Sequence, residues 1–216
     1  MKKHNVVLVD DHTLISGALA TVIEEFPDYH VLYEAEHGQA LIEKFAHPRN
    51  IPDIVLLDVS MPVMDGFETA KWLQQNYPDV HVLVLSMQDD EYSLIKMLRN
   101  GARGYLLKNI HPTELKKALD TVMEKGHYYP EWLTSKIMLN NQGELQLKQP
   151  ADALNEKEME FLSYCCNELT YREIAEIMKC SVRTVEGYRD SLFIKLDLKS
   201  RIGLAIYAIR TGKCHF

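Results

Sequence analysis

The 216 residues carry 24 Lys and Arg against 31 Asp and Glu, a formal charge of −7, and 46% of them are hydrophobic. That supplies apolar material for two small cores, and the acidic balance by itself gives no sign of a polyanion partner. No apolar run nears the ~20 residues of a membrane span, and the apolar stretch of MKKHNVVLVDD is too short for a secretion signal, so a cytoplasmic chain with no membrane partner is expected.

The charge is unevenly spread. Residues 1–125 hold 12 Lys and Arg against 19 Asp and Glu, residues 126–153 hold 2 against 3, and residues 154–216 hold 10 against 9. The C-terminal part is therefore the least repulsive to a polyanion. Cys165, Cys166, Cys180 and Cys214 all lie in that last third without C-x-x-C spacing. Buried thiols are expected there rather than metal ligands or disulfides.

Through residue 125, short apolar runs alternate with amphipathic segments. NVVLVDD (5–11) reads as a strand, and the stretch 12–26 then spaces Leu14, Ala18, Leu19, Val22, Ile23 and Phe26 at helical intervals before Pro27-Asp28 stops it. A second strand, HVLYEAE (30–36), leads into a helix at 38–46. IVLLDV (54–59), VLVLS (82–86) and GYLLK (104–108) are further strands, with helices at 65–76, 90–100 and 112–125. The order is (βα)5. Right-handed crossovers place helices on both faces of one parallel sheet, a doubly wound, flavodoxin-like α/β fold.

Residues 126–153 break the alternation and are richer in Gly, Pro, Asn and Gln, as a linker is, with one short helix around 131–139. From Leu154 only helical periods remain. Asn155-x-x-Glu158 and Thr170-x-x-Glu173 match the capping box, and helices are expected at 156–167, 171–178, 182–196 and 199–210, forming a small all-α domain over 154–216.

Polar residues end the apolar runs of the first domain: Asp10 and Asp11, Asp58, Ser86, and Lys108. A parallel sheet brings them to one edge, where open α/β sheets place their chemistry. Three carboxylates repel one another unless a cation neutralises them, and an ammonium adds a movable counter-charge, so the set reads as a Mg²⁺ and phosphoryl site. A haloacid-dehalogenase phosphatase needs a second Asp two residues after its nucleophile, and this chain has Ser60.

LVDDH, LLDVSMPVMDGFE, LS and GARGYLLK stand in the order and spacing of a two-component receiver domain, which residues 1–125 resemble. The resemblance implies that Asp58 is the phosphoacceptor for a sensor histidine kinase, and that Asp10, Asp11, Asp58 and the backbone carbonyl of Ser60 hold Mg²⁺. It also implies that Lys108 and Ser86 contact the phosphoryl group, with Tyr105 turning inward as Ser86 engages it. Pro62 restricts the loop after Asp58, Asp65 can cap the next helix, and Gly66 permits close backbone approach. Asn109 stands where receivers often have Pro. A regulator of this kind is not an enzyme; the alternative is a receiver-fold interaction module with a DNA-binding output that does not depend on phosphorylation.

In TYREIAEIMKCSVRTVEGYRDSLFIKL, small Ala175 and apolar Val185 have the spacing that lets two helices cross closely, with Ser181 as N-cap of the second. With LNEKEMEFL and SRIGLAIYAI, this string resembles the four-helix LuxR-type helix-turn-helix output domain of NarL/FixJ response regulators. The resemblance implies binding to double-stranded DNA, as a homodimer when active. Val182, Val185, Leu192 and Leu196 share the expected buried face of the second helix. Arg183, Thr184, Glu186, Gly187, Tyr188 and Asp190 are left to enter the major groove, and Arg183, Arg189, Lys195, Lys199 and Arg201 are available to phosphates. Glu186 and Tyr188 replace the Lys and His of many relatives, so the operator is not inherited from them. Lys179 occupies a turn position where Gly is common and a left-handed conformation is needed. Ile202, Ala205, Ile206 and Ile209 form an apolar stripe that suits either a dimer seam or the domain's own core.

Overall fold

The computed structural model describes residues 3–87, 91–129, 154–196 and 198–214. The short helix expected around 131–139 lies outside the described residues. The chain divides into two compact units, residues 1–129 and 130–216.

In the first unit, β1 (His4–Val9), β2 (Tyr29–Ala35), β3 (Ile54–Asp58), β4 (His81–Ser86) and β5 (Gly104–Leu107) pair in parallel in the order β2-β1-β3-β4-β5. Parallel neighbours need long crossovers. These are α1 (Thr13–Glu24), α2 (Gly38–Phe45), α3 (Gly66–Asn76), α4 (Glu91–Arg99) and α5 (Pro112–Lys125). Strands covered on both faces must be apolar throughout, and all five residues of β3 are buried. Val6, Leu8, Ile54, Leu56, Leu83 and Leu85 meet Leu115, Leu119 and Val122 of α5 on one face of the sheet. Each such side chain contributes about 1.5–3 kcal/mol by leaving water.

The chain runs from β1 outward to β2 and then returns across β1 to β3. The strand order therefore reverses between β1 and β3, and it is at the C-terminal edge of such a reversal that open α/β sheets bind their ligands. Local signals set the turns around it. Asp65 accepts from Glu68 N–H at 2.8 Å while Glu68 accepts from Asp65 N–H, a capping box that starts α3. Gly126 ends α5 with φ 76°, in the left-handed region where glycine is favoured. Past α5, Tyr128 is 5% exposed and bridges to Gly104, so the first unit continues beyond Lys125.

The second unit contains α6 (Glu156–Tyr164), α7 (Tyr171–Ile177), α8 (Val182–Leu196) and α9 (Arg201–Arg210). Both expected capping boxes form, Asn155 with Glu158 and Thr170 with Glu173. The Ser200 side chain accepts from Gly203 N–H, which starts α9 at Arg201 rather than at residue 199. In the α7–α8 turn, Lys179 takes φ 52° as expected and Cys180 N–H donates to Ala175 O. Ala175 and Val185 are buried where the helices cross.

Two expectations need correction. Val182 is 41% exposed, because it is the first residue of α8 and stands outside the seam formed by Val185, Leu192 and Leu196. Cys166 and Cys214 form a disulfide, whereas Cys165 and Cys180 are free thiols. The end of α6 and the segment after α9 bring the paired Cα atoms to 6.4 Å, a proximity that a sequence separation of 48 conceals. Ile202, Ala205 and Ile206 are buried within their own domain. No helix among the described residues is long and apolar enough to cross a membrane.

Candidate functional site

At the C-terminal sheet edge, Asp10 follows β1, Asp58 ends β3, Ser86 ends β4 and Lys108 follows β5. Parallel pairing aligns these ends: Asp58 stands opposite Leu85, and Lys108 N–H donates to Ser86 O at 2.7 Å. Asp10, Asp58 and Ser86 are buried, while Asp11 and Ser60 are exposed. The Lys108 ammonium lies 2.7 Å from Asp10 Oδ2 and 3.0 Å from Asp58 Oδ1, bridging the two buried carboxylates. Burial raises the Asp58 carboxyl above the usual range despite the ion pair with Lys108. Burial also disfavours the Lys108 ammonium, but hydrogen bonds to Asp10 and Asp58 outweigh it and hold the amine above its ordinary value.

His12 joins this cluster. Its Nδ1 lies 3.0 Å from Asp11 Oδ1 and 3.2 Å from Asp10 Oδ1, and its backbone N–H donates to Asp10 Oδ1 at 2.9 Å. Ligand atoms of Asp10, Asp11, His12 and Asp58 all fall within 4.8 Å of one another. Hard carboxylate oxygens in this number suit Mg²⁺. Gly66 is built against the acceptor loop, since a Cβ there would stand 2.1 Å from Asp58 O. Tyr105 points inward on β5 with no exposure, and the Lys108–Asn109 bond is trans.

On α8, Arg183, Thr184, Gly187 and Asp190 are exposed and Glu186 is half-buried. Tyr188, Arg189, Lys195 and Arg201 are engaged internally. The Tyr188 ring centroid lies 6.4 Å from that of Phe161, so this side chain packs toward α6. The Arg189 guanidinium lies over the Tyr171 ring at 5.6 Å and pairs with Asp190 at 2.8 Å. Lys195 Nζ is 2.8 Å from Glu158 Oε2, while Ser191 Oγ donates to Glu158 Oε1 at 2.6 Å. Burial would raise the Glu158 carboxyl, but Lys195, Ser191 and the Asn155 amide together lower it. Arg201 donates to Cys165 O and Asn167 O just past the end of α6 and also lies over the Tyr171 ring, 5.4 Å from its centroid. Lys199 is exposed.

Comparison with known proteins accounts for both units. Residues 6–120 match the response regulator receiver domain, and residues 152–208 match the luxR family of bacterial regulatory proteins. The chain belongs to the NarL/FixJ response regulators. It is 32% identical to the oxygen regulatory protein NreC of Staphylococcus aureus over 218 residues, covering 98% of this chain and 99% of NreC. It is 29% identical to the transcriptional regulatory protein DegU of Brevibacillus brevis, covering 97% and 94%. RcsB of Salmonella enterica serovar Typhimurium, solved on promoter rprA with the phosphomimetic BeF3−, is similar at 26% identity and TM-score 0.55, covering 95% of this chain and 98% of that one.

As a NarL/FixJ response regulator, the chain is a phosphorylation-regulated, DNA-binding transcription regulator of a two-component system. Within it, sequence reasoning singled out neither His12 nor Glu158 as part of a functional constellation. His12 was signalled by its place directly after Asp10-Asp11. Glu158 was visible only as a capping residue, and its second task of holding Lys195 requires α6 and α8 to be packed together.

Proposed function

We propose that Asp58 accepts a phosphoryl group from the phosphohistidine of a sensor kinase and that the modified receiver controls DNA binding by the helix-turn-helix. The observation that carries this reading is the buried Asp58 carboxylate at the switch-point edge, 3.0 Å from Lys108. In the transfer, the N–P bond of the donor breaks as an O–P bond forms at Asp58. Asp10, Asp11, Asp58 and the Ser60 carbonyl would hold Mg²⁺, which when bound would screen the carboxylates and supply positive charge beside the transferring group. Lys108 is already placed to follow the new phosphoryl oxygens, and the Ser86 hydroxyl donates to another. Tyr105, buried beside β4, shares the rearrangement of that edge.

In the output domain, Arg183, Thr184, Glu186, Gly187 and Asp190 face the major groove, and Lys199 contacts phosphate. Tyr188, Arg189 and Lys195 hold α8 in position through Phe161, Tyr171 and Glu158, and Arg201 ties the start of α9 to the carbonyls after α6. A cytoplasmic protein acting as a homodimer on two half-sites fits this arrangement.

The test is chemical. The protein is incubated with Mg²⁺ and a small acyl phosphate, and intact mass is followed. A labile phosphoryl adduct is expected in the wild type and absent in Asp58→Ala. Its absence from the wild type under every donor would instead support an interaction module that works without phosphorylation.

A further inference from the structure

The exposed polar side chains at the start of α8 are not equally available to DNA. Thr184 Oγ1 lies 2.8 Å from Ser181 Oγ within the helix cap, and Asp190 is held by Arg189 at 2.8 Å. Arg183 and Glu186 make no hydrogen bond or ion pair among the described residues, although Arg189 feels the Glu186 charge. Between Glu186 and Asp190, a Cβ built on Gly187 would meet nothing within 4 Å, so the helix surface is bare where a base edge must approach. The N-terminal turns of a recognition helix are the part that reaches base edges.

An unpaired carboxylate on this surface faces two environments in a DNA groove. Phosphates repel it, and leaving it desolvated without a donor costs more still. Cytosine is the base whose major-groove edge presents a donor, N4, with no acceptor beside it, whereas adenine sets its N6 donor next to the N7 acceptor; the guanine paired with cytosine offers O6 and N7 to an Arg fork. Arg183 and Glu186 are three residues apart, about 4.5 Å along the axis at 1.5 Å per residue, close to the roughly 3.4 Å between stacked base pairs.

We infer that Glu186 is a specificity-determining residue that fixes a C·G pair in each half-site by accepting from cytosine N4, beside a guanine read by Arg183. This rests on the reading of the second unit as a DNA-binding domain. It assigns to an acidic side chain a positive role in choosing the operator. It also explains how a domain with 10 Lys and Arg against 9 Asp and Glu can bind DNA selectively, since phosphates alone would favour removing the acid.

The test is binding-site selection from a random double-stranded DNA pool by the full chain, treated with Mg²⁺ and acyl phosphate, as wild type, E186Q and E186A. The wild type is expected to enrich a half-site with a fixed cytosine, disfavouring other bases at that position by about fivefold or more. E186A should lose that one preference and keep the rest of the motif. E186Q should move it toward adenine, whose N6 and N7 match a carboxamide. An unchanged motif in E186A overturns the inference. So does a uniform gain in affinity with the motif intact, which would make Glu186 only a repulsive charge. If the wild type enriches nothing, the reading of the second unit as a sequence-specific DNA binder fails first. Thermal unfolding of E186Q, an isosteric change at a half-buried site, confirms that the fold is kept.

Discussion

The Lys108 ammonium stands 3.0 Å from Asp58 Oδ1, and both side chains are almost wholly buried. A fixed positive charge among three carboxylates competes with a divalent cation for the same oxygens. Lys108→Met should therefore bind Mg²⁺ more tightly, by about tenfold, because the cluster loses its internal counter-ion. Isothermal titration measures this directly. The same variant should still form the Asp58 adduct but should fail to convert it into a change in DNA binding. Unchanged Mg²⁺ affinity would show that Lys108 does not share the metal's oxygens.

The Glu158 carboxylate is buried and held by Lys195, Ser191 and the Asn155 amide. Lys195→Met leaves that charge without its main partner and should cost the output domain about 2 kcal/mol, less than for a fully buried pair because Lys195 is partly exposed. Urea unfolding followed by the C-terminal aromatic signals checks it. The Glu158 carboxyl is held below its unfolded value. Its contribution is therefore complete above about pH 4.3 and is lost as pH falls through the lower folded value. Lys195→Met should shrink this acid-side slope. A variant as stable as wild type would remove Glu158–Lys195 from the forces holding α6 to α8.

Cys166 and Cys214 close a loop across 48 residues. A crosslink of that span constrains the unfolded chain by up to about 4 kcal/mol. Cys214→Ser, or reduction of the wild type, should lower the stability of the second unit by about 2–4 kcal/mol, and reduction should have no further effect on Cys214→Ser. Intact mass before and after alkylation gives the thiol count. Two reactive thiols in the unreduced, unfolded wild type, from Cys165 and Cys180, are expected; four would contradict the disulfide.

The proposed reading gives Arg183 a base contact and Lys199 a phosphate contact, both on exposed side chains. Arg183→Ala should relax selectivity at one position and cost about 1–3 kcal/mol on the best site. Lys199→Ala should weaken binding equally on all sequences and reduce the slope of log affinity against log salt by about 1. Equal behaviour of the two variants across matched and scrambled DNA would contradict the division. Phosphorylation should be untouched in both.

What could be read in advance followed short-range rules. The apolar runs ending in Asp10, Asp58, Ser86 and Lys108 fix a strand and its edge residue together, because the chemistry lies at the strand end. Asp65 with Glu68, Asn155 with Glu158 and Thr170 with Glu173 mark helix starts because capping uses residues three apart. What could not be read in advance concerns partners distant in sequence. Tyr188 turns toward Phe161 and Arg189 lies over Tyr171, so side chains that look available on a helical wheel are taken by α6 and the start of α7. Lys195 and Arg201 look like free cations until Glu158 and the carbonyls after α6 are in place. Val182 fits the apolar period of α8 but precedes the packed seam.

The central claim is that chemistry at Asp58 governs DNA binding by the second unit. The direct measurement is the affinity of the full chain for its selected DNA at fixed salt, with and without Mg²⁺ and acyl phosphate, for the wild type and for Asp58→Ala. A phosphodonor-dependent change of tenfold or so, about 1.4 kcal/mol, is expected in the wild type alone. An equal change in Asp58→Ala, or none in a wild type shown by mass to carry the adduct, would contradict it.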